Sequence, residues 1–327
     1  MEKINIAIIT GGNVAERSVS LQSAATVHKH LDGNRYNKYV IELNGTTFSE
    51  QSSGQRVDLN DFTLSNANGK IQFDLILFML HGHPAEDGCL QGYFEVLGIP
   101  YTGCDQFVSA LTFNKQATKD YLRSHGIPMA ESRLLFKDQS VDYDDLKTLG
   151  LPLFVKPNKN GSSYGVTKVK AFDQLEDAVQ LAFQYDDEVL VEQFLDGQEF
   201  TNGVVRKDGR TLVLPITEIV SQNEFFDFKA KYEYESQEIT PARLTEEETS
   251  ECQALTKKVF EALGCRGMAR IDYIKVKDTF YFLEANTIPG MSEASIIPQQ
   301  AQAHGWTIGQ LLDVVIADAL RKAQAEV

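Results

Sequence analysis

The chain has 327 residues, 43% of them hydrophobic and 24% charged, a globular composition with room for two or three domains of about 100 to 150 residues each. A formal net charge of −15 repels nucleic-acid phosphates and anionic lipid, so neither nucleic acid nor a membrane surface is an expected partner. No run approaches the roughly 18 apolar residues of a membrane span, and the apolar segment from Ile4 follows no basic leader or cleavage site, so a cytoplasmic location is expected.

The first elements read as α/β. Ile4–Thr10 is an apolar strand, Gly11-Gly12-Asn13 a turn, and Glu16–Leu31 a helix with Val19, Ala24 and Val27 on one face. Tyr39–Leu43 and Asp74–Leu80 are further strands; the second is almost continuously apolar, as in a parallel sheet covered on both faces. Residues 44–70 are rich in Ser, Asn and Gly and are expected to form an irregular connection with at most a marginal hairpin. Two short helices follow, at 104–113 and 115–125. Strands are expected at 152–156, 165–170, 188–194, 199–206 and 211–219, with a helix at 172–184. Residues 221–240 mix aromatic and charged residues without periodicity, which suits a long functional loop. Thr245 and Glu248 form a capping-box pattern opening a helix to 263, and a helix over 307–323 closes the chain. Cys89, Cys104, Cys252 and Cys265 form no CxxC pair and are expected to be reduced thiols.

The segment RIDYIKVKDTFYFLEAN, residues 270–286, reads as a β-hairpin turning through Lys277-Asp278-Thr279. That turn sets Asp272 opposite Glu284 and Arg270 opposite Asn286, with all four on one face. Opposed carboxylates destabilise a sheet unless a cation bridges them, and oxygen ligands without His or Cys suit Mg²⁺. A solvated acidic face remains the alternative at this point, and a two-residue turn would send the carboxylates to opposite faces. Lys156 ends a strand and precedes NGSSYG, whose small residues let backbone amides approach an anion; a plain hairpin turn fits these residues too. Glu16 suits either a helix N-terminus or a substrate ammonium. His81 and His83 lack further ligands for a metal, and Ser292–Ser295 begin a helix that could receive an anion.

Taken in order, GGNVAERSVSL, HGHPAEDGCLQG, GIPYTG, VKPNKNGSSYGV, EQFLDGQEF, RIDY and LEANTIPGM resemble the D-alanine–D-alanine ligase family of ATP-grasp enzymes, from Gly11 to about Pro298. The resemblance implies a mixed α/β and α+β protein: a Rossmann-like N-terminal domain (1–102) followed by a two-domain ATP-grasp clamp (103–190 and 191–327). It implies ATP phosphates at Lys115 and Lys156 under the NGSSYG loop with Ser163, adenine beside Glu192, Gln193 and Leu195, and ribose at Glu199. Two Mg²⁺ ions, with Mn²⁺ as a substitute, would sit on Asp272, Glu284 and Asn286. Glu16, Ser162 and Tyr232 would hold the first D-alanine, Lys231 the γ-phosphate, Arg270 and Gly290 the reacting carboxyl, and Ser295 the second substrate's carboxylate. Two D-alanines would be joined through an acyl phosphate for peptidoglycan synthesis by a homodimer. The alternatives are a ligase taking D-lactate or D-serine second, and an ATP-binding regulator without catalysis. Two positions depart from the family: Ala85 replaces a usual Gly, and Gln193 a frequent Lys.

Overall fold

The computed structural model describes residues 3–12, 16–66, 69–161, 164–221 and 236–325. The chain opens with β1 (Ile4–Gly11), α1 (Arg17–His30), β2 (Tyr36–Asn44) and β3 (Thr47–Glu50). The short β4 (Leu64–Asn66) and β5 (Gly69–Ile71) pair as a separate hairpin before β6 (Leu75–Phe78). The 44–70 connection is thus more ordered than its composition suggested. The first sheet runs β3-β2-β1-β6, with β1 parallel to both neighbours and β3 antiparallel at the edge.

Both faces of this sheet are covered, which explains its nearly unbroken apolar strands. Ile6, Ile8, Leu75 and Leu77 face one core with Ala24 and Val27 of α1. Ala7, Ile9, Ile76 and Phe78 face another, where Phe62 meets Phe94 edge-on at 4.8 Å between ring centroids. The 89–97 segment, for which the sequence carried no expected element, is the helix α2 (Cys89–Leu97), with Leu90 and Phe94 on its buried face.

Next come α3 (Gln106–Phe113), α4 (Lys115–Arg123), β7 (Ser132–Phe136) and α5 (Tyr143–Lys147), and then β8 (Leu153–Pro157) and β9 (Thr167–Val169). A 3₁₀ turn (Phe172–Gln174) leads into α6 (Leu175–Ala182), followed by β10 (Glu188–Gln193). These strands form an antiparallel sheet, β7-β10-β8-β9, packed on α6. A larger antiparallel sheet follows: β13-β12-β11-β14-β15. Its strands are β11 (Gln198–Lys207), β12 (Arg210–Ser221), β13 (Ser236–Ile239), β14 (Met268–Val276) and β15 (Thr279–Asn286). One face of it packs on α7 (Glu246–Ala262) through Val259 and Phe260. Thr245 and Glu248 form the expected reciprocal capping box of α7.

The last helices, α8 (Ile296–Ala303) and α9 (Ile308–Ala325), tie the ends of the chain together. Leu311, Leu312, Val315 and Ile316 of α9 join Ile6, Ile8 and Val205 in a single core. The C-terminal helix is therefore the wedge between the first sheet and the last. Among the described residues, no helix is long and apolar enough to cross a membrane.

Candidate functional site

A cavity of about 1420 Å³ opens where the three sheets meet. Lys156 and Glu192 come from the central sheet, and Glu199, Arg270, Glu284 and Asn286 from the C-terminal one. Glu16, His81 and Glu86 close the N-terminal side, and Gly290 and Ser295 lie beyond β15. Lys115, Gln193 and Leu195 also line it. Of the expected site residues that the structure describes, all but Asp272 thus line one space. Ser162, Ser163, Lys231 and Tyr232, with most of the 221–240 loop, lie outside the described residues.

The acidic hairpin differs from its expected geometry in an instructive way. Val276 pairs with Thr279, so the turn holds two residues, Lys277 and Asp278, rather than three. Lys277 takes φ of 52°, as tight hairpin turns demand. That register alone would split the carboxylates between faces. A bulge corrects it: Tyr273 pairs with Phe282, but Asp272 pairs with Glu284 and Arg270 with Asn286. Leu283 is the extra residue. Phe280 and Phe282 enter the core below the bulge and Ala285 above it, which leaves Glu284 and Asn286 on the cavity side.

Asp272 is 5% exposed and richly bonded. Its Oδ1 accepts from Arg270 Nε at 2.9 Å and from Thr201 Oγ1; its Oδ2 accepts from Arg270 at 2.8 Å and Asn286 Nδ2 at 3.0 Å. Two carboxylates and an amide, without sulfur or imidazole, make a hard donor set that fits a divalent cation such as Mg²⁺. The carboxylate already selects positive charge, since it holds a guanidinium.

The opposite wall carries lysines. Lys115 is the first residue of α4, and its Nζ donates to the Asn160 carbonyl at 2.7 Å. Asn114 and Asn158 lock this helix end onto the sheet: Asn158 Nδ2 donates to Asn114 Oδ1 at 2.9 Å, and Gln116 N donates to Asn158 Oδ1 at 2.9 Å. On β8, Lys156 pairs with Glu192 Oε2. On the other side of that carboxylate, Lys119 pairs with Oε1 at 2.5 Å. Glu192, expected beside adenine, lines the cavity with its carboxylate paired to both lysines.

Burial pushes the Glu192 carboxyl up, but Lys156 and Lys119 outweigh it and hold it at about 2, against an ordinary 4.5. Its stabilising charge is therefore complete above pH 4.5 and is lost as pH falls toward 2. Glu192→Gln should cost about 3 kcal/mol at neutral pH, and the gap from the parent should shrink once pH drops below 4.5. Denaturant unfolding at a series of pH values checks this; a gap that stays constant into acid contradicts it.

Near the N-terminal wall, Glu16 makes no side-chain cap to its own helix. Its carboxylate instead lies against two glycines: a Cβ on Gly161 would meet Oε1 at 2.6 Å, and one on Gly82 would collide with Oε2. His81 is buried beside Ser23, with Nε2 at 3.3 Å from Oγ, and Glu86 Oε2 accepts from the Gly82 amide at 3.0 Å. Beyond β15, Ser295 starts α8 and exchanges a 2.7 Å hydrogen bond with Ser292.

Sequence reasoning missed Lys119, Glu86 and Glu238. Glu238 lines the cavity and accepts from Gln299 Nε2 at 2.7 Å; burial raises its carboxyl despite Gln299 and Arg270. For Lys119 a signal existed: it occupies the buried face of α4 with Thr118 and Leu122, where an apolar residue would be usual.

Two antiparallel sheets gripping a cavity with lysines on one wall and paired carboxylates on the other define an ATP-dependent ligase of the ATP-grasp class. Residues 5–104 match the sequence family described as "D-ala D-ala ligase N-terminus", and residues 121–317 match "D-ala D-ala ligase C-terminus". The chain belongs to the D-alanine–D-alanine ligase family. It is 44% identical over 319 residues to the D-alanine–D-alanine ligase of Phocaeicola vulgatus, covering 96% of this chain and 98% of that protein. Among solved structures, the D-alanine–D-alanine ligase from Bacillus anthracis complexed with ATP superposes with a TM-score of 0.82 at 31% identity, covering 99% of this chain and 100% of that one. The VanG D-Ala:D-Ser ligase from Enterococcus faecalis superposes with a TM-score of 0.86 at 31% identity, covering 97% of this chain and 99% of that one.

Proposed function

We propose that the protein joins two D-alanines into D-alanyl-D-alanine at the expense of ATP, for peptidoglycan precursor synthesis. The observation that carries this reading is the one cavity in which Glu16, the Lys115–Lys156 wall and Glu284 and Asn286 of the hairpin converge, with Asp272 behind them, bonded to Arg270 and Asn286. A carboxylate is a poor electrophile. Transfer of the γ-phosphoryl group to the first D-alanine's carboxylate oxygen gives an acyl phosphate and ADP. The second D-alanine's amine, having shed a proton, then attacks the acyl carbon, the peptide C–N bond forms, and phosphate leaves.

Each protein group has a part in this scheme. Lys115 and Lys156 neutralise phosphate oxygens, with Ser163 and Lys231 closing over them. Glu192, Gln193 and Leu195 flank the adenine, and Glu199 the ribose. Glu16, with Ser162 and Tyr232, takes the first ammonium. Arg270 and the Gly290 turn stabilise negative charge building on the reacting carboxyl, and Ser295 holds the second carboxylate. Asp272, Glu284 and Asn286 would hold two Mg²⁺ ions, which supply charge neutralisation at the transferred phosphoryl group.

Three domains (1–102, 103–190 and 191–327), a cytoplasmic location and a homodimer complete the proposal. The separate sheets support a three-part division, although β10 (Glu188–Gln193) of the central sheet crosses the 190/191 boundary and α9 packs on the first sheet as well as the last. The D-Ala:D-Ser ligase, as similar at 31% identity as the Bacillus anthracis D-alanine–D-alanine ligase, keeps D-serine as a second reading, while the 44% identical relative is a D-alanine–D-alanine ligase. Phosphate release from Mg-ATP across D-alanine, D-serine, D-lactate and L-amino acids tests both. Release with D-alanine alone, yielding the dipeptide, is the expected result; release that requires D-serine or D-lactate overturns it.

A further inference from the structure

Lys119 is the buried charge that the proposed chemistry does not use. It is 2% exposed, points into the protein rather than the cavity, and ends on Glu192 Oε1 at 2.5 Å. Glu192 is 6% exposed, and Lys156 is 9% exposed on the other carboxylate oxygen. Burying a lysine costs several kcal/mol unless a partner offsets it, and here burial does lower its affinity for the proton while Glu192 works the other way. Lys156 alone would satisfy Glu192 as an ion pair. A second buried lysine therefore needs another explanation.

Charge supplies it. Lys156 and Glu192 alone sum to zero, and a neutral pair attracts a polyphosphate poorly. Adding Lys119 leaves the group of three with a net positive charge, in surroundings where screening by water is weak. Lys156 and Glu192 line the cavity and Lys119 does not, so the surplus is presented at Lys156. The helix serves both ends of this arrangement, because Lys115 and Lys119 are one turn apart on α4.

We propose that Lys119 is a positioning residue for nucleotide phosphates: it neutralises Glu192, which can then hold Lys156 in place without cancelling the charge that Lys156 presents to a polyphosphate. This rests on the reading that the cavity binds ATP with phosphates at Lys156. Arg123 is the other cation felt at Lys119, but it lies on the exposed side of α4, paired at 4.0 Å with Asp120.

Calorimetric binding of ADP and of adenosine, without D-alanine, tests the assignment on the whole protein. Lys119→Met should weaken ADP binding by about tenfold and leave adenosine binding unchanged. Lys119→Gln keeps a hydrogen bond to Glu192 but no charge, guards against a variant that does not fold, and should show the same loss. Lys119→Arg should bind ADP like the parent. Lys119→Met combined with Glu192→Gln should recover most of the lost affinity, because no anion is left to cancel Lys156. Parent-like ADP affinity in Lys119→Gln, equal losses for ADP and adenosine, or a double variant no tighter than Lys119→Met would each overturn the proposal. A parent protein that binds adenosine but gains nothing from the two phosphates overturns the ATP reading itself.

Discussion

Asp272→Asn and Glu284→Gln should each lower D-alanine-dependent phosphate release by on the order of a thousandfold at saturating Mg²⁺. Both substitutions keep the side chain's shape and remove one negative charge. Glu284 lies on the cavity wall, so its replacement disturbs no core packing. Asp272 is buried, but its main partner, Arg270, has a side chain that is 19% exposed and borders the cavity. The guanidinium can therefore recover solvent when its carboxylate becomes an amide. Far-ultraviolet circular dichroism should be unchanged and cooperative unfolding retained. If the hairpin held no cation, Glu284→Gln would relieve the repulsion between the opposed carboxylates and leave the rate alone. Near-normal rates would remove the metal from this site.

The pairing on which that prediction depends was legible in sequence for a partly wrong reason. Composition identified the hairpin and its carboxylates, and the inferred pairing of Asp272 with Glu284 holds. It holds because two deviations cancel: the turn is one residue shorter than expected, and a bulge at Leu283 adds one back. A bulge has no reliable signature in a single sequence, since Leu is as acceptable in a regular strand as in an irregular one. What fixes it is tertiary: Phe280 and Phe282 must reach the same core as Ala285.

Other elements were readable because local and tertiary preferences agree. The Thr245–Glu248 box begins its helix where the pattern says, and the apolar 74–80 strand is covered on both faces. The ligand wall contributed by α4 was not readable in the same way. Lys115 was found only through family likeness, and Lys119 looks like an ordinary surface lysine until Glu192, 73 residues away, is placed beside it. The pairing of Glu192 was hidden for the same reason: its partners come from β8 and α4, and no linear spacing connects them.

Glu16→Gln should raise the KM for D-alanine by about 50-fold, since a hydrogen bond to a charged partner contributes roughly 1.5–3 kcal/mol, while the KM for ATP stays within about twofold. A helix-capping role predicts the opposite pattern, a stability loss with unchanged kinetics, and the absence of any cap from the Glu16 side chain already weighs against it. The carboxylate is instead fitted between the backbones at Gly82 and Gly161, positions where a Cβ would strike its oxygens. The Gly161 backbone lies outside the left-handed region, so Gly161→Ala introduces crowding without backbone strain. A Cβ there lies 2.6 Å from Oε1, and moving that oxygen should reproduce much of the Glu16→Gln effect on D-alanine. The combination of the two should then be no worse than Glu16→Gln alone, because both act on one contact. Steady-state kinetics with D-alanine varied at fixed saturating ATP, and the converse, measures all three variants. Additive losses, or an unchanged D-alanine KM in Glu16→Gln, would place the ammonium elsewhere in the cavity.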